Sequence, residues 1–243
     1  MRLRTLRIHA IGIASMLTMI ASVGQAGMAS ADPTPAATTA APIPADPTPT
    51  APADRPIVHQ VPRVPLTIDG KPVDPATITK YNGQPLYMAV LRGDGPHGRL
   101  ATFTNSADFE RFVSEQGGPA HTLAQPREFT QAQAAKAQSS AERWGTGVIY
   151  EHPGSAGSRL SVPAGYGWPD LTQKRMQCGA PIDIFCSDWN DKASTAAALS
   201  GEGVMLWEHI RWGGSSLWLQ SGMWLDNLGY YGWNDRTSSF AAY

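Results

Sequence analysis

The chain is poor in the residues that several common protein classes require. Cysteine occurs only twice, as Cys178 and Cys186, and no histidine lies close to either, so a zinc site built on thiolates lacks a complete ligand set. When Arg2, Arg4 and Arg7 are set aside, 16 basic residues face 20 acidic ones, which leaves a formal charge of −4 without any block of like charges. This composition makes nucleic acid and anionic lipid poor candidate partners.

Motifs of catalysis are also missing. Gly154-Ser155-Ala156-Gly157 does not have the spacing of a nucleophile elbow, and the chain contains neither a phosphate-binding glycine loop nor a His-Glu-x-x-His zinc helix. Glu151-His152 and Glu208-His209 have the composition of acid/base pairs. Adjacent strand residues point to opposite faces, however, and the pairs recur at equivalent positions, which favours a structural role. We therefore predict that the protein is not an enzyme.

No apolar run is long enough to cross a bilayer. The run from Ala10 to Val23 is shorter than the roughly 20 residues required, follows three arginines and leads to Ala29-Ser30-Ala31, which is the pattern of a secretory signal peptide. No cysteine follows that could carry a lipid anchor. We expect residues 1–31 to be removed and the mature protein, starting near Asp32, to be secreted, extracellular and free of the membrane. In that oxidising compartment a disulfide between Cys178 and Cys186 is expected.

Residues 32–62 contain little that can be buried. They consist largely of proline, alanine and threonine, as in Asp46-Pro47-Thr48-Pro49, and such a segment cannot offset the entropy lost on ordering. The composition therefore predicts a disordered linker.

Residues 64–120 have the pattern of a small α+β domain. Apolar alternation begins at Val64, breaks at Asp69-Gly70, and resumes near Leu86 and again near Leu100, which predicts short strands. A helix then begins at Asn105 or Ser106 and ends at Gly117-Gly118. Over residues 121–146 we predict a helical linker, in which Thr130 and Gln133 fit a capping box.

Tryptophan is absent from the first 143 residues, and all eight tryptophans lie at position 144 or beyond. Short apolar runs separated by glycine-containing turns indicate an all-β domain over 147–243. This segment contains an internal repeat: Val148-Ile149-Tyr150-Glu151-His152 returns as Met205-Leu206-Trp207-Glu208-His209. Trp189-Asn190-Asp191-Lys192-Ala193-Ser194-Thr195 likewise returns as Trp233-Asn234-Asp235-Arg236-Thr237-Ser238-Ser239. These repeated blocks predict that the C-terminal segment consists of two structurally similar halves.

The repeated blocks resemble the βγ-crystallin superfamily, in particular its calcium-binding microbial members. The family begins each Greek key with an aromatic residue, places a second aromatic five positions later and a glycine seven positions later. Trp207, Trp212 and Gly214 match fully, whereas Ser155 replaces the second aromatic in the first copy, so the first corner should be less firmly packed. The resemblance implies a double Greek-key sandwich over 147–243, preceded by the α+β unit and the linker.

The resemblance also implies calcium sites. The family's loop reads Asn/Asp, Asn/Asp, any, any, Ser/Thr, Ser, which 234–239 matches throughout and 190–195 matches except for its final Thr195. Calcium takes six to eight oxygen ligands, which carboxylates, amides, hydroxyls and carbonyls supply. By analogy, each loop serine serves the site built mainly by the other half, the hairpin glutamates are further candidates, and carbonyl ligation would allow Lys192 and Arg236 to point outward. The implied metal ligands are Glu151, Asn190, Asp191, Lys192, Ser194, Glu208, Asn234, Asp235, Arg236 and Ser238.

The resulting hypothesis is a secreted, monomeric, calcium-binding module with a binding or stress-protective role. A secreted protease inhibitor is the second hypothesis, with the cysteine-bearing segment 168–189 as the inhibitory loop and a secreted protease as partner. A module binding cell-wall glycans is the third, because exposed aromatics could stack on sugar rings. The five aromatics considered for that role are Trp218, Trp224, Tyr230, Tyr231 and Trp233.

Overall fold

The computed structural model describes residues 55–93, 97–130, 132–133, 147–176 and 187–243. The predicted signal peptide, both cysteines and most of the predicted linker helix lie outside these residues. At the start of that helix, the Thr130 amide donates to Gln133 Oε1 at 2.8 Å and the Gln133 amide donates to Thr130 Oγ1 at 3.3 Å, which confirms the capping box. Among the described residues, no helix has the length and apolarity needed to span a membrane.

Three strands and the helix of the first segment form where the apolar pattern predicts them, whereas the short strand after Asp69-Gly70 was not predicted. Asp69 and Gly70 both have positive φ, at 48° and 76°, and turn the first two strands into a hairpin. The Asn105 side chain accepts the amides of Ala107 and Asp108 and so caps the helix. The elements are β1 (Leu66–Ile68), β2 (Lys71–Val73), β3 (Tyr87–Leu91), β4 (Arg99–Phe103) and α1 (Ser106–Glu115).

The C-terminal segment forms two four-stranded halves that exchange their third strands. The first half consists of β6 (Gly147–His152), β7 (Ala156–Val162), β8 (Tyr166–Trp168) and β9 (Thr195–Ala198). The second half consists of β10 (Gly203–Trp207), β11 (Ser216–Gln220), β12 (Trp224–Leu225) and β13 (Ser239–Ala242). Strand β12 joins the sheet of the first half, in the order β12-β9-β6-β7, while β8 lies beside β13 through a parallel bridge from Ala164 to Ala242. Strand β8 also pairs in parallel with β5 (Arg127–Glu128).

A single sheet crosses the boundary between the two sequence segments. Strand β11 pairs in parallel with β3, with Leu217 opposite Met88, and the sheet runs in the order β13-β10-β11-β3-β4-β1-β2. The α+β strands thereby cover the edge of the second half, where unpaired backbone groups would otherwise favour aggregation.

Helix α1 adds a second link between the segments. Phe109 and Val113 are fully buried in a cluster with Trp218 and Met205 of the second half. Gly118, just after the helix, has no space for a side chain, because a Cβ atom there would lie 2.8 Å from Trp218. The larger core between the two sheets also draws on both segments, with Leu66 and Met88 packing in the same cluster as Leu206.

The end of the predicted linker, residues 55–62, lies against the rest of the protein. His59 is 2% exposed, its amide donates to Asn82 Oδ1 at 2.8 Å, and its Nε2 lies 2.9 Å from the Gln84 carbonyl. The Ile57 carbonyl accepts the Gly83 amide at 2.9 Å. These backbone bonds and one buried ring supply the contacts that the composition of residues 55–62 does not suggest.

The buried His59 predicts a loss of stability in mild acid. The Gln84 carbonyl can only accept, so Nε2 carries the proton, and the buried Nδ1 has no partner. Burial lowers the pKa of His59, with Arg236 lowering it and Glu208 and the Gln84 and Tyr81 carbonyls raising it to lesser extents. The unfolded chain therefore binds a proton at a higher pH than the folded chain, and stability present above pH about 6.5 is lost as the pH falls towards the folded pKa.

Urea unfolding at pH 7, 6 and 5 measures this loss, which can reach about 1.4 kcal/mol per pH unit. His59→Gln is expected to flatten the profile between pH 7 and 5, whereas His121→Gln, at an exposed position, should keep it. Equal slopes in both variants would show that another group causes the acid sensitivity.

Candidate metal centre

The hairpin corners position the two glutamates. Gly157 and Gly214 have φ of 77° and 73°. The amide that follows each glycine donates to the glutamate of the same hairpin: Ser158 to Glu151 at 3.0 Å, and Ser215 to Glu208 at 3.3 Å. The carboxylates therefore tie their own hairpins, which is a structural role. The expectation that Glu151 and His152 point to opposite faces is wrong, because His152 Nε2 lies 3.8 Å from Glu151 Oε1.

The final hydroxyl of each loop fastens the corner of its own half. Thr195 Oγ1 donates to the His152 carbonyl at 2.9 Å and accepts the Ser155 amide at 3.3 Å. Ser239 makes the matching bonds, to the His209 carbonyl at 2.8 Å and from the Trp212 amide at 3.2 Å. Threonine in place of serine therefore preserves the function of this position.

The aromatic pairing of the two corners differs. Trp207 and Trp212 pack edge to face at 4.9 Å, whereas Ser155 offers no ring to Tyr150. The Tyr150 ring lies instead 6.0 Å from that of Trp224, which belongs to the second half.

The two loops lock onto each other by reciprocal bonds. The Asp191 amide donates to the Thr237 carbonyl at 3.0 Å, and the Asp235 amide donates to the Ala193 carbonyl at 3.1 Å. Both aspartates have positive φ, at 53° and 54°, a conformation that Asp and Asn tolerate better than most residues. The preference for Asn or Asp at the second position of the loop motif is therefore explained by the left-handed backbone there as well as by ligand chemistry.

Two oxygen clusters, named here site A and site B, result from this exchange. In site A, Ser238 Oγ lies 3.3 Å from Asp191 Oδ1. In site B, Ser194 Oγ lies 3.5 Å from Asp235 Oδ1. Each cluster therefore joins the aspartate of one loop with the serine of the other. Site A consists of Asn190, Asp191, Glu208 and Ser238, and site B consists of Asn234, Asp235 and Ser194, with Glu151 assigned by the symmetry of the repeat.

Site A contains two carboxylates and two guanidinium groups. It lines a cavity of about 200 Å³ that Arg55, Arg236 and Asp235 of site B also border. Arg55 lies 2.9 Å from Asp191 Oδ2, and Arg236 lies 2.8 Å from Glu208 Oε1. Burial raises the pKa of Asp191, while the Arg55 charge and the Ser238 hydrogen bond oppose that rise and Glu208 adds to it.

Arg236 does not point outward, and that prediction is wrong. It is 7% exposed, donates through Nη1 to the Gly232 carbonyl at 2.8 Å, and places its guanidinium 4.8 Å from the centre of the Trp233 ring. A planar guanidinium can stack on an indole and bond a carboxylate at the same time, which an ammonium group cannot do as well. Lys192, at the equivalent position, is exposed as predicted.

The oxygen set of site B fits calcium. Asp235 and Ser194 face each other, and the Asn234 side chain donates its NH₂ to Asp235 at 2.7 Å, which leaves its own carbonyl oxygen as an acceptor. Among the described residues, no three His, Cys, Asp or Glu side chains are grouped as a metal site, so an ion here would depend on hydroxyl, amide and carbonyl oxygens too. Such mixed oxygen ligation is ordinary for calcium.

Site A fits less well, although it has a suitable oxygen. Asn190 Oδ1 is buried and has no hydrogen-bond partner. Glu208 is nevertheless already paired with the buried Arg236, and Asp191 is paired with Arg55, whose side chain is 73% exposed. The Arg55 contact was not predicted, because a single arginine in a Pro/Ala/Thr-rich segment has no sequence signal of a docking point.

Most of the aromatics considered for glycan binding lie in the core. Trp218 and Trp233 are fully buried and Tyr231 is 4% exposed, whereas Trp224 is 49% exposed. Of the proposed inhibitory loop, residues 177–186, which include both cysteines, lie outside the described residues.

Comparisons with known proteins find similar chains among solved structures. No family model matches the chain, and no curated protein matches it. Among solved structures, a βγ-crystallin from an archaeon is 22% identical with a TM-score of 0.29, covering 40% of this chain and 95% of its own. A βγ-crystallin from Ciona intestinalis is 21% identical with a TM-score of 0.30, covering 40% and 98%. IPSE alpha-1, an IgE-binding crystallin, is 14% identical with a TM-score of 0.28, covering 42% and 85%.

The assignment of the fold rests on the chain's own repeat and topology. Both halves carry the same corner and the same loop; β12 of the second half joins the sheet of the first, and Ala164, just before β8, forms a parallel bridge to Ala242 of β13. Residues 147–243 therefore form a βγ-crystallin-like domain of two Greek keys.

Proposed function

We propose that the protein is a secreted, non-enzymatic calcium-binding module in which the ion stabilises the junction between the two Greek keys. The observation that carries the proposal is the exchange of Ser194 and Ser238 between the loops, which brings oxygens of both halves into each cluster. An ion bound there contacts both halves only when they are folded together. Calcium therefore binds the native state and stabilises it by mass action.

The expected gain in stability follows from the affinity. Extracellular and sensor sites bind calcium with dissociation constants on the order of 10⁻⁶ to 10⁻³ M. At a calcium concentration 100 times the dissociation constant, the native state gains about 2.7 kcal/mol. For a unit of this size that gain raises the melting temperature by about 5–10 °C.

The test uses the chain without residues 1–31, freed of metal by chelator. Calorimetric titration with calcium should give saturable heat, and thermal unfolding should occur at a higher temperature in calcium than in chelator or in magnesium. Ser194→Ala should weaken calcium binding about tenfold or more, whereas Ser200→Ala, at an exposed position nearby, should not. Absence of both heat and thermal stabilisation would refute the proposal and leave the loops as plain turns.

A further inference from the structure

We infer that Arg236 is a built-in cation that takes the place of calcium at site A, so that the protein binds one calcium ion, at site B. The inference rests on the proposed function and concerns how the two sites differ. The repeat alone gives the sites equal status, because the motif residues are present in both loops.

The two halves use the third loop position in opposite ways. Arg236 is buried and bonded to Glu208 at 2.8 Å, with 7% and 10% of the two side chains exposed. Lys192, at the equivalent position, is exposed. In the described residues, the basic group near Glu151 is His152, whose Nε2 lies 3.8 Å from Oε1 of Glu151. Within the described residues, the ion pair that fixes a guanidinium on a hairpin glutamate is the one between Arg236 and Glu208 of site A.

Arg236 is held too firmly to swing aside for an ion. Its guanidinium bonds the Glu208 carboxylate and the Gly232 carbonyl and lies over the Trp233 ring. The guanidinium thereby holds its positive charge against the Glu208 carboxylate. A divalent ion in site A would have to share Glu208 with that charge.

The charges around the two sites also favour calcium binding at site B. In site A, Glu208 is paired with the buried Arg236, whereas Asp191 is paired with Arg55, whose side chain is 73% exposed and therefore screened by solvent. In site B, Asp235 has no ion pair within the described parts of the chain, and its bonds come from neutral Ser194 and Asn234. Calcium affinity depends on the negative charge of its ligands, so site B is the one that retains this attraction.

Removing the charge of Arg236 should open site A. Arg236→Gln leaves Glu208 buried without a counter-ion, and calcium can then neutralise it. We expect calorimetry to give one calcium ion for the wild-type protein and two for Arg236→Gln, with a larger rise in melting temperature on calcium addition in the variant. Arg236→Lys, which keeps the charge, should remain at one ion, and Arg236→Gln with Asp191→Asn should return to one.

A measurement on the unaltered protein covers the case in which Arg236→Gln does not fold. In an NMR titration, backbone amides of Asp235 and Ser194 should shift and saturate at one equivalent of calcium, whereas those of Asn190 and Lys192 should shift at least tenfold less. Wild-type binding of two ions, or saturable shifts centred on residues 190–192, would overturn the inference and leave calcium binding intact. Absence of calcium binding by the wild-type protein would instead refute the proposed function.

Discussion

Replacement of Phe109 by alanine is expected to lower the free energy of unfolding of the whole described unit by about 3–5 kcal/mol, the cost typical of removing a buried phenylalanine. Phe109 is fully buried on α1 and packs in one cluster with Trp218 and Met205 of the second Greek key. The cavity left by alanine would therefore weaken the contact between the α+β segment and the crystallin-like domain.

Tryptophan fluorescence is a selective probe for this effect. Seven of the eight tryptophans lie within residues 147–243 and none lies on α1, so their emission reports mainly on the crystallin-like part, including Trp218, which is in one cluster with Phe109. If the segments unfold as one unit, Phe109→Ala should shift the urea midpoint seen by fluorescence as much as the midpoint seen by circular dichroism.

Phe112→Ala is the matched control, because Phe112 lies on the same helix but is only half-buried, with its ring 5.0 Å from that of Phe103. It should cost about 1 kcal/mol, the typical value for a point mutation. A fluorescence midpoint unchanged by Phe109→Ala would show that the crystallin-like domain folds without the segment before it.

The elements that could be predicted from the sequence are those set by local chemistry. The hairpin at Asp69-Gly70, the cap at Asn105 and the corner at Gly214 each need a particular residue within a few positions, and each occurs where the pattern indicates. The repeat of these local signals was enough to identify two Greek keys. Of the candidate sites, the meeting of each loop aspartate with the serine of the other loop also followed from the motif.

The features that could not be predicted depend on residues far apart in the chain. The pairing of β3 with β11 joins Met88 to Leu217, and nothing in two short apolar strands specifies that partner. The inward turn of Arg236 depends on Glu208 and Trp233 together, so a motif that reads this position as any residue cannot contain it. The pairing of Arg236 with Glu208 at site A therefore cannot be read from the loop motif and becomes visible in the folded protein.

Replacement of Gly157 by alanine is expected to lower the free energy of unfolding by about 2–4 kcal/mol, the sum of left-handed backbone strain and overpacking. Gly157 has φ of 77°, and a Cβ atom there would lie 2.9 Å from both Glu151 Oε2 and His152 Cδ2. The methyl group would push Glu151 from its bond to the Ser158 amide. Because Glu151 belongs to site B, the variant should also bind calcium more weakly.

Gly154→Ala separates these two causes. Gly154 lies in the same corner with φ of 70°, but a Cβ atom there would have no neighbour within 4 Å. It should therefore cost only the left-handed strain of about 1–2 kcal/mol and leave calcium binding unchanged. Urea unfolding of both variants, with calorimetry in calcium, measures the difference. Equal losses of stability and equal affinities would show that the corner tolerates a side chain at Gly157 and that Glu151 does not contribute to the ion site.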